Sequence, residues 1–539
     1  MVKVRPSAPL WSLQRALTSC GTGESYIHVA TIGMLPDNVL LEMFDFYRKN
    51  SNNTRLWEWH LLVHVCQRWR QIIFASPLRL NLRILCTSRT RVGKNLCIWP
   101  NLPIVIEYSY SRRGIWSRRG GNVIAALKHA DRVYDVSLDI KGSQLGKMAT
   151  AMKKPFPVLT RLNIRSDDRN VPVLPIRFLG RSTPCLREIT LSGIPYPTLP
   201  ALLLSTNILV ALELRRIPPT GYISPDAMVR CLATLPRLVT FDIQFQSVTP
   251  RPEPTRPPVA RIVLPALTSF EFKGASEYLE DLVARIDSPQ LDRILIVYLN
   301  QLVDFQVAQL SKFIERSVAL TPFRHAQVKF SSDKVCFDMC RHEFRRSESH
   351  PTSCRPPTRT VISCRGIDWQ VSHIAQVVTQ FSATLSNIVH LKFEFPDELP
   401  PPQVEGADGA DWLLLLHQFS AVQTLDVPGK LARHVVLALE GIPQEMVADV
   451  LPSLDLINLE GQPASSFENF VAARRLSGHP VTIVDLGRER LRLQERERER
   501  LKRERKIEME RLGERLKESE RKIKLLREMQ EVSTVLRPL

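Results

Sequence analysis

The sequence predicts a mixed α/β (α+β) chain in three parts: a small helical unit, an irregular strand-and-helix solenoid, and a long charged helix. Three observations predict it. Apolar residues recur at helical spacing between residues 34 and 80, a short apolar phrase returns through the middle of the chain, and Glu-Arg alternation replaces both after Val484. At 539 residues, 44% of them hydrophobic, the chain exceeds one core and has ample apolar content for several packed units.

The helical unit comes first. Pro36 suits a first helical turn, whose N–H groups lack partners, and Asp37 complements the positive end of that turn. Val39, Leu40, Met43 and Phe44 follow at helical spacing, and Leu61, Leu62, Val65, Cys66 and Trp69 repeat the pattern after Asn50-Ser-Asn-Asn breaks it. Three short helices in about 45 residues close only a thin core, so part of this apolar surface needs a protein partner. Leu35-Pro36, Val39-Leu40, Phe44, Val65-Cys66 and Trp69-Arg70 occur in the order of an F-box, which the segment resembles. That resemblance implies docking on the Skp-type adaptor of an SCF-type cullin-RING ubiquitin ligase. Leu35, Pro36, Val39, Leu40 and Phe44 would form one adaptor-contact group, and Val65, Cys66 and Trp69 a second. The polar insert Arg48 to Trp57 lengthens the first connection.

Behind it the phrase x-L-x-x-L-x-L, often led by Pro, starts at Pro157, Pro184, Asn207, Pro236, Pro265, Pro289, Ser386, Ser420 and Pro452, with a weaker copy ending Val136-Ser-Leu138. The spacings are 27, 23, 29, 29 and 24 residues, then 34 and 32, in the range of leucine-rich repeats. The last two apolar positions are two apart, which puts them on one face of a short strand. Helix-like stretches such as Ser276 to Ile286, Leu310 to Arg316 and Asp411 to Phe419 return the chain between phrases, giving a parallel solenoid. The Asn or Cys that usually follows the strand is absent, with Asp167, Ile194 and Gln462 near that point. The strand residues between the apolar pair face outward in a row. Arg161, Asn163, Glu188, Thr190, Glu213, Asp242, Glu271, Arg293, His390, Lys392 and Asp426 are the candidate target contacts on it.

The domain reading is a flexible segment at 1–30, the F-box at 31–82, a linker at 83–128, the solenoid at 129–485 with an insertion near 331–365, and a charged helix at 486–539. Segments such as Ser76 to Arg83, Leu264 to Gly274 and Phe470 to Pro480 resemble the F-box proteins abundant in mushroom-forming fungi, a likeness covering roughly residues 34 to 485.

Other chemistry is absent or weak. Cys336, Cys340, His342, His350, Cys354 and Cys364 are enough ligands for zinc but lack two close pairs at definite spacing, so a core thiol on a strand is the better reading of Cys336 and no metal or cofactor is assigned. No Gly-rich phosphate loop occurs, no catalytic residue is assigned, and the chain reads as a non-catalytic subunit. The net charge of +18 invites nucleic acid, but residues 488–539 hold 18 basic and 12 acidic side chains and the remainder is spread thinly. The local group Arg112, Arg113, Arg118 and Arg119, interleaved with Tyr108, Tyr110 and Trp116, reads as a solvated loop, and the Pro-rich run from Thr249 to Pro258 as a surface loop. No apolar run reaches the length of a membrane span, and the scattered cysteines read as reduced thiols of the cytoplasm or nucleus. In the tail Met509, Leu512, Leu516, Ile523 and Leu526 fit coiled-coil positions. Self-association through that seam and a solitary charged helix are both open. The leading function is a ligase substrate receptor with an unidentified protein target. Its rivals are an interaction scaffold without a ligase role and a basic nucleic-acid binder.

Overall fold

A computed structural model describes residues 32–50, 59–109, 120–248, 260–299, 306–342, 356–399, 409–460 and 467–535, apart from positions 78, 90, 91, 94, 95, 97, 98, 100 and 397. The N-terminal segment 1–30, insert residues 51–58, the arginine group at 112–119, the Pro-rich run, His350 and Cys354 lie outside the described residues. The chain divides into two compact units, Met1–Ile84 and Leu85–Leu539.

The first unit holds helices α1 (Asp37–Asn50), α2 (Trp59–Val63) and α3 (Gln67–Ala75). Arg68 ties the entry of α1 to α3, donating to the Leu35 carbonyl at 2.6 Å and pairing with Asp37 at 2.6 Å. Cys66 caps α3, its Sγ accepting the Trp69 N–H at 3.5 Å. Leu40, Phe44, Val63 and Ile73 are buried inside, and the Phe44 and Trp69 rings meet at 4.7 Å.

Strands of the rest of the chain are β1 (Ile84–Cys86), β2 (Ile104–Ser109), β3 (Val133–Asp139), β4 (Arg161–Arg165), β5 (Glu188–Ser192), β6 (Ala211–Ile217), β7 (Thr240–Phe245), β8 (Ile262–Val263), β9 (Ser269–Gly274), β10 (Ile286–Asp287) and β11 (Arg293–Tyr298). They continue as β12 (His325–Phe330), β13 (Val335–Cys340), β14 (Thr358–Ile362), β15 (His390–Glu394), β16 (Thr424–Pro428), β17 (Leu456–Glu460) and β18 (Thr482–Asp485). Apart from the small parallel pair β8 and β10, they form one sixteen-stranded sheet in the order β1-β2-β3-β4-β5-β6-β7-β9-β11-β14-β13-β12-β15-β16-β17-β18 among the described residues. Every full copy of the predicted phrase falls on a strand of this sheet. Val136, Leu162, Ile189, Leu212, Phe241, Phe270 and Ile294 stand side by side in register, each buried. A second buried row, Leu138 to Ile296, runs two residues on, as period-2 alternation requires. Helices between strands bury apolar stripes of their own, such as Met228, Cys231 and Leu232 in Pro225–Leu232, whose start is set by the Ser224 cap and Pro at its first turn.

Two expectations about this region are corrected. The described residues between 83 and 128 are more than a linker: β1, β2 and the helix Gly120–Leu127 belong to the repeat fold, with β2 paired to β3 in parallel. Nor are the described residues of the span 331–365 an insertion outside the repeat sheet. The hairpin β12–β13 and β14 are strands of the sheet, with Thr358, Thr360 and Ile362 buried. After β11 the chain advances to β12, doubles back through β13, and sets β14 into the gap beside β11, where it pairs in parallel. Only β13 runs against its neighbours here. Cys336 lies half-buried on it, as a strand thiol.

The missing Asn ladder also has a structural substitute. Arg216, at φ 52°, reaches back across two turns: its guanidinium donates to the Ser166 carbonyl at 3.2 Å and the Ser192 hydroxyl at 3.0 Å, and pairs with Asp167 at 2.6 Å. Gly193, at φ +68°, makes the approach feasible, because a Cβ there would sit 2.3 Å from the Ser166 carbonyl oxygen. Farther on, the fully buried Arg474 donates to the carbonyls of Val447, Ala448, Leu451, Pro452 and Leu454, satisfying a loop that has no regular ladder.

Because Phe241 is buried in the register row and stacks on Phe270 at 5.5 Å, Phe241→Ala should destabilise the solenoid by about 3–5 kcal/mol. Urea unfolding followed by circular dichroism measures it; a cost below about 1 kcal/mol would mean this row does not hold the repeats together.

Candidate protein-interaction surfaces

The first surface lies on the helical unit. Helix α1 presents two stripes at helical spacing. Leu40, Leu41 and Phe44 turn inward, whereas Val39, Met43, Phe46 and Tyr47 are exposed, with Ile32 and Met34 before them and Leu61 and Val65 in or beside α2. Eight large apolar side chains outside so small a unit exceed the scattered surface residues normal for a monomer. Of the predicted contact residues, Pro36, Val39, Val65 and Cys66 are exposed and Leu35 and Trp69 are half-buried. Leu40, fully buried, and Phe44, at 2% exposure, are corrected: they belong to the unit's own core and are unavailable to a partner. Met43, Phe46 and Tyr47 stand on the same exposed stripe as Val39 and were not among the predicted contacts. Their signal was present in the 3.6 period of α1, which separates the two stripes.

The second surface is the sheet face opposite the buried rows. One line of outward positions runs without a break in register through Glu107, Ser137, Asn163, Thr190, Glu213, Asp242, Glu271, Leu295, Arg359, Asp338, Gln327, Lys392, Asp426 and Asn458. Seven of the predicted target contacts lie on it. Arg161, Glu188, Arg293 and His390 stand one step aside on the same face. The structure brings Arg161 to Glu188 at 2.8 Å and to Asp135 at 3.4 Å. The eleven residues nonetheless fall into two blocks, because β14, β13 and β12 separate Arg293 on β11 from His390 on β15.

Charge on this face is mostly paired within it. Arg215 joins Asp242 at 2.6 Å and Glu213 at 3.3 Å. Arg359 grips the fully buried Asp338 with two hydrogen bonds of 2.7 and 2.8 Å, a bidentate geometry suited to a low-dielectric site. Lys392 and Lys329 hold Glu394 at 2.9 and 3.4 Å. Burial pushes the Glu394 carboxyl up, but the two lysines outweigh it and leave it below its usual range. Asp338, Arg359 and Lys329 escaped sequence reading because their strands carry no copy of the phrase. Asp242 is a correction of another kind. It faces the open side yet is 1% exposed, covered by Arg215 and Gln244, with Oδ1 unpartnered. It supports the face and is not itself an exposed contact.

The chain is similar to the crystal structure of the leucine-rich repeat-containing protein LegL7 from Legionella pneumophila, at 13% identity and a TM-score of 0.24, over 74% of this chain and 99% of that one. So loose an overlay bears on neither partner nor role. No family model and no curated protein matches the sequence. No helix among the described residues is long and apolar enough to cross a membrane, and no three metal-ligating side chains converge among them.

Burial raises the Asp242 carboxyl to about 6, against the opposing pull of Arg215. A carboxyl raised in the folded state binds its proton more tightly there than in the unfolded chain. Its contribution is therefore full below the unfolded value near 3.8 and is lost as pH rises toward 6. Asp242→Asn should flatten that part of the stability–pH profile, read as urea midpoints between pH 4 and pH 7; an unchanged slope would mean the burial penalty is relieved by other means.

Proposed function

We propose that this chain is a substrate receptor of an SCF-type cullin-RING ubiquitin ligase. The helical unit serves as an F-box that docks on the Skp-type adaptor, and through it on a cullin, while the open sheet face recruits a protein target. The carrying observation is the stripe Val39, Met43, Phe46 and Tyr47, exposed on a helix whose opposite stripe already fills the unit's core. Fully burying an exposed side chain of this kind supplies about 1.5–3 kcal/mol, and these four, between 38% and 67% exposed, would supply a corresponding part of that before the costs of association are subtracted. The motif order from Leu35-Pro36 to Trp69 adds the kind of partner. The repeat face suits a protein better than nucleic acid, because from β2 to β9 its central line carries Glu107, Glu213, Asp242 and Glu271 and no cation. In this reading the chain makes and breaks no bonds, and proximity lets a separate enzyme transfer ubiquitin.

Val39→Glu/Met43→Glu tests it, since both positions are exposed and the fold should survive, as circular dichroism can show. In a pull-down with purified Skp-type adaptor the wild type should be retained and the double variant should lose at least about tenfold in affinity. Failure of the wild type to bind, or equal binding by the variant, would overturn the receptor reading.

A further inference from the structure

Between β2 and β9 the open face is acidic, on a chain that is basic as a whole. Arg161 stands between Asp135 and Glu188, at 3.4 and 2.8 Å, and Arg215 between Glu213 and Asp242, at 3.3 and 2.6 Å, so each arginine answers one carboxylate and leaves another over. Glu107, Asp139 and Glu271 form no ion pair among the described residues, although Arg165 and Lys273 share the face with them. Seven carboxylates against four cations leave this surface at −3 in a chain of +18. Near its end Asp242, only 1% exposed, lies in register between Glu213 and Glu271 and keeps Oδ1 without a partner. A cation is what this lane lacks. The next strands break the polar pattern: Leu295 and Val297 of β11, Val361 of β14 and Cys336 of β13 are half-buried on the open side, with Val297 paired to Val361 and Val361 to Cys336. They make one contiguous apolar patch, in which the thiol packs as a small hydrophobe. On one side Glu271 and Lys273 lie beside Leu295 and Val297 in register, and on the other Arg359 and Asp338 hold each other. An apolar centre inside a polar rim is the layout of an interface anchor.

We propose that the target bound here is a protein segment carrying lysine or arginine beside a bulky apolar side chain, with its cations over the lane from β2 to β9 and its apolar anchor on Leu295, Val297 and Val361. This rests on the reading above that the open face meets the protein target. Six strand spacings of roughly 4.8 Å put about 29 Å between Glu107 and Glu271, the reach of about nine extended residues. So long a lane fits a segment and not a lone small ligand. Charge steers a basic segment to this face, because the remainder of the chain carries the surplus of cations and repels it. The apolar anchor then supplies affinity, since its burial removes water from a patch already framed by polar groups.

A random peptide library displayed on phage is selected on the immobilised full chain, and enriched peptides are then measured against the soluble chain by fluorescence anisotropy. Enriched peptides should hold lysine or arginine within a few positions of leucine, isoleucine, methionine or phenylalanine, and their binding should weaken as salt is raised. Glu271→Lys and Leu295→Gln should each cost about tenfold in affinity or more, with Glu271→Gln falling between Glu271→Lys and the wild type. Glu468→Lys, the same charge change in the first turn of the helix Glu468–Leu476, should leave binding unchanged. No enrichment, enrichment of acidic peptides, or full affinity in Glu271→Lys or Leu295→Gln would overturn the proposal. If circular dichroism shows either variant unfolded, full affinity in Glu271→Gln, which keeps the shape of the side chain, overturns it instead. A wild-type dimer that Leu295→Gln dissolves would assign the patch to a second copy and overturn it as well. Adaptor binding is read separately on α1, so its loss with peptide binding intact counts against the receptor reading alone.

Discussion

Everything in the repeat unit depends on the shared register of its strands. A strand of five or six residues with an apolar pair on one face cannot bury that face alone, and the helix that returns the chain is too short to stand by itself in water. Placing Leu162 beside Ile189, Leu212 and Phe241, each with its backbone bonded to the next, closes both deficits at once. Side-chain alternation then settles the rest. If one face is buried along the sheet, the other is forced outward in an equally continuous line. The open face is a by-product of stability, available for function without further cost to the core.

That face is polar but not loosely so. Most of its carboxylates are held by arginines and lysines from the same or neighbouring strands, with Asp338 and Asp242 buried under their partners. Such pairing fixes side-chain positions more than it adds stability, since exposed pairs contribute about 0–1 kcal/mol and buried ones offset their own desolvation. A pre-positioned polar surface suits recognition of a partner's shape and charge. The helical unit uses the opposite device, an exposed apolar stripe with no charge to pair. In the proposed receptor, two unlike surfaces on one chain serve two unlike partners.

Much of this was legible in the sequence because the signals were local. The phrase at Pro157, Pro184 or Pro452 marks a strand through residues only two or three apart, and strands followed at each of them. The outward row came from the same alternation. What escaped was non-local. Nothing within Thr358 to Ile362 says that this strand pairs with β11, 64 residues earlier, and lies between β11 and a hairpin already passed. At α1 the failure was different: Val39 with Met43 and Leu40 with Phe44 were read as one apolar set, although a helix turns one pair in and the other out. The stand-in of Arg216 for an Asn ladder was invisible because its partners Ser166 and Ser192 come from two earlier turns.

The central claim is a division of labour between an apolar docking unit and a separate recognition face. Hydrogen exchange on the full chain, alone and saturated with purified Skp-type adaptor, tests it most directly. The account predicts added protection confined to residues 32–75, with β3 to β18 unchanged. Protection spread along the strands, or none in α1 and α3, would contradict it.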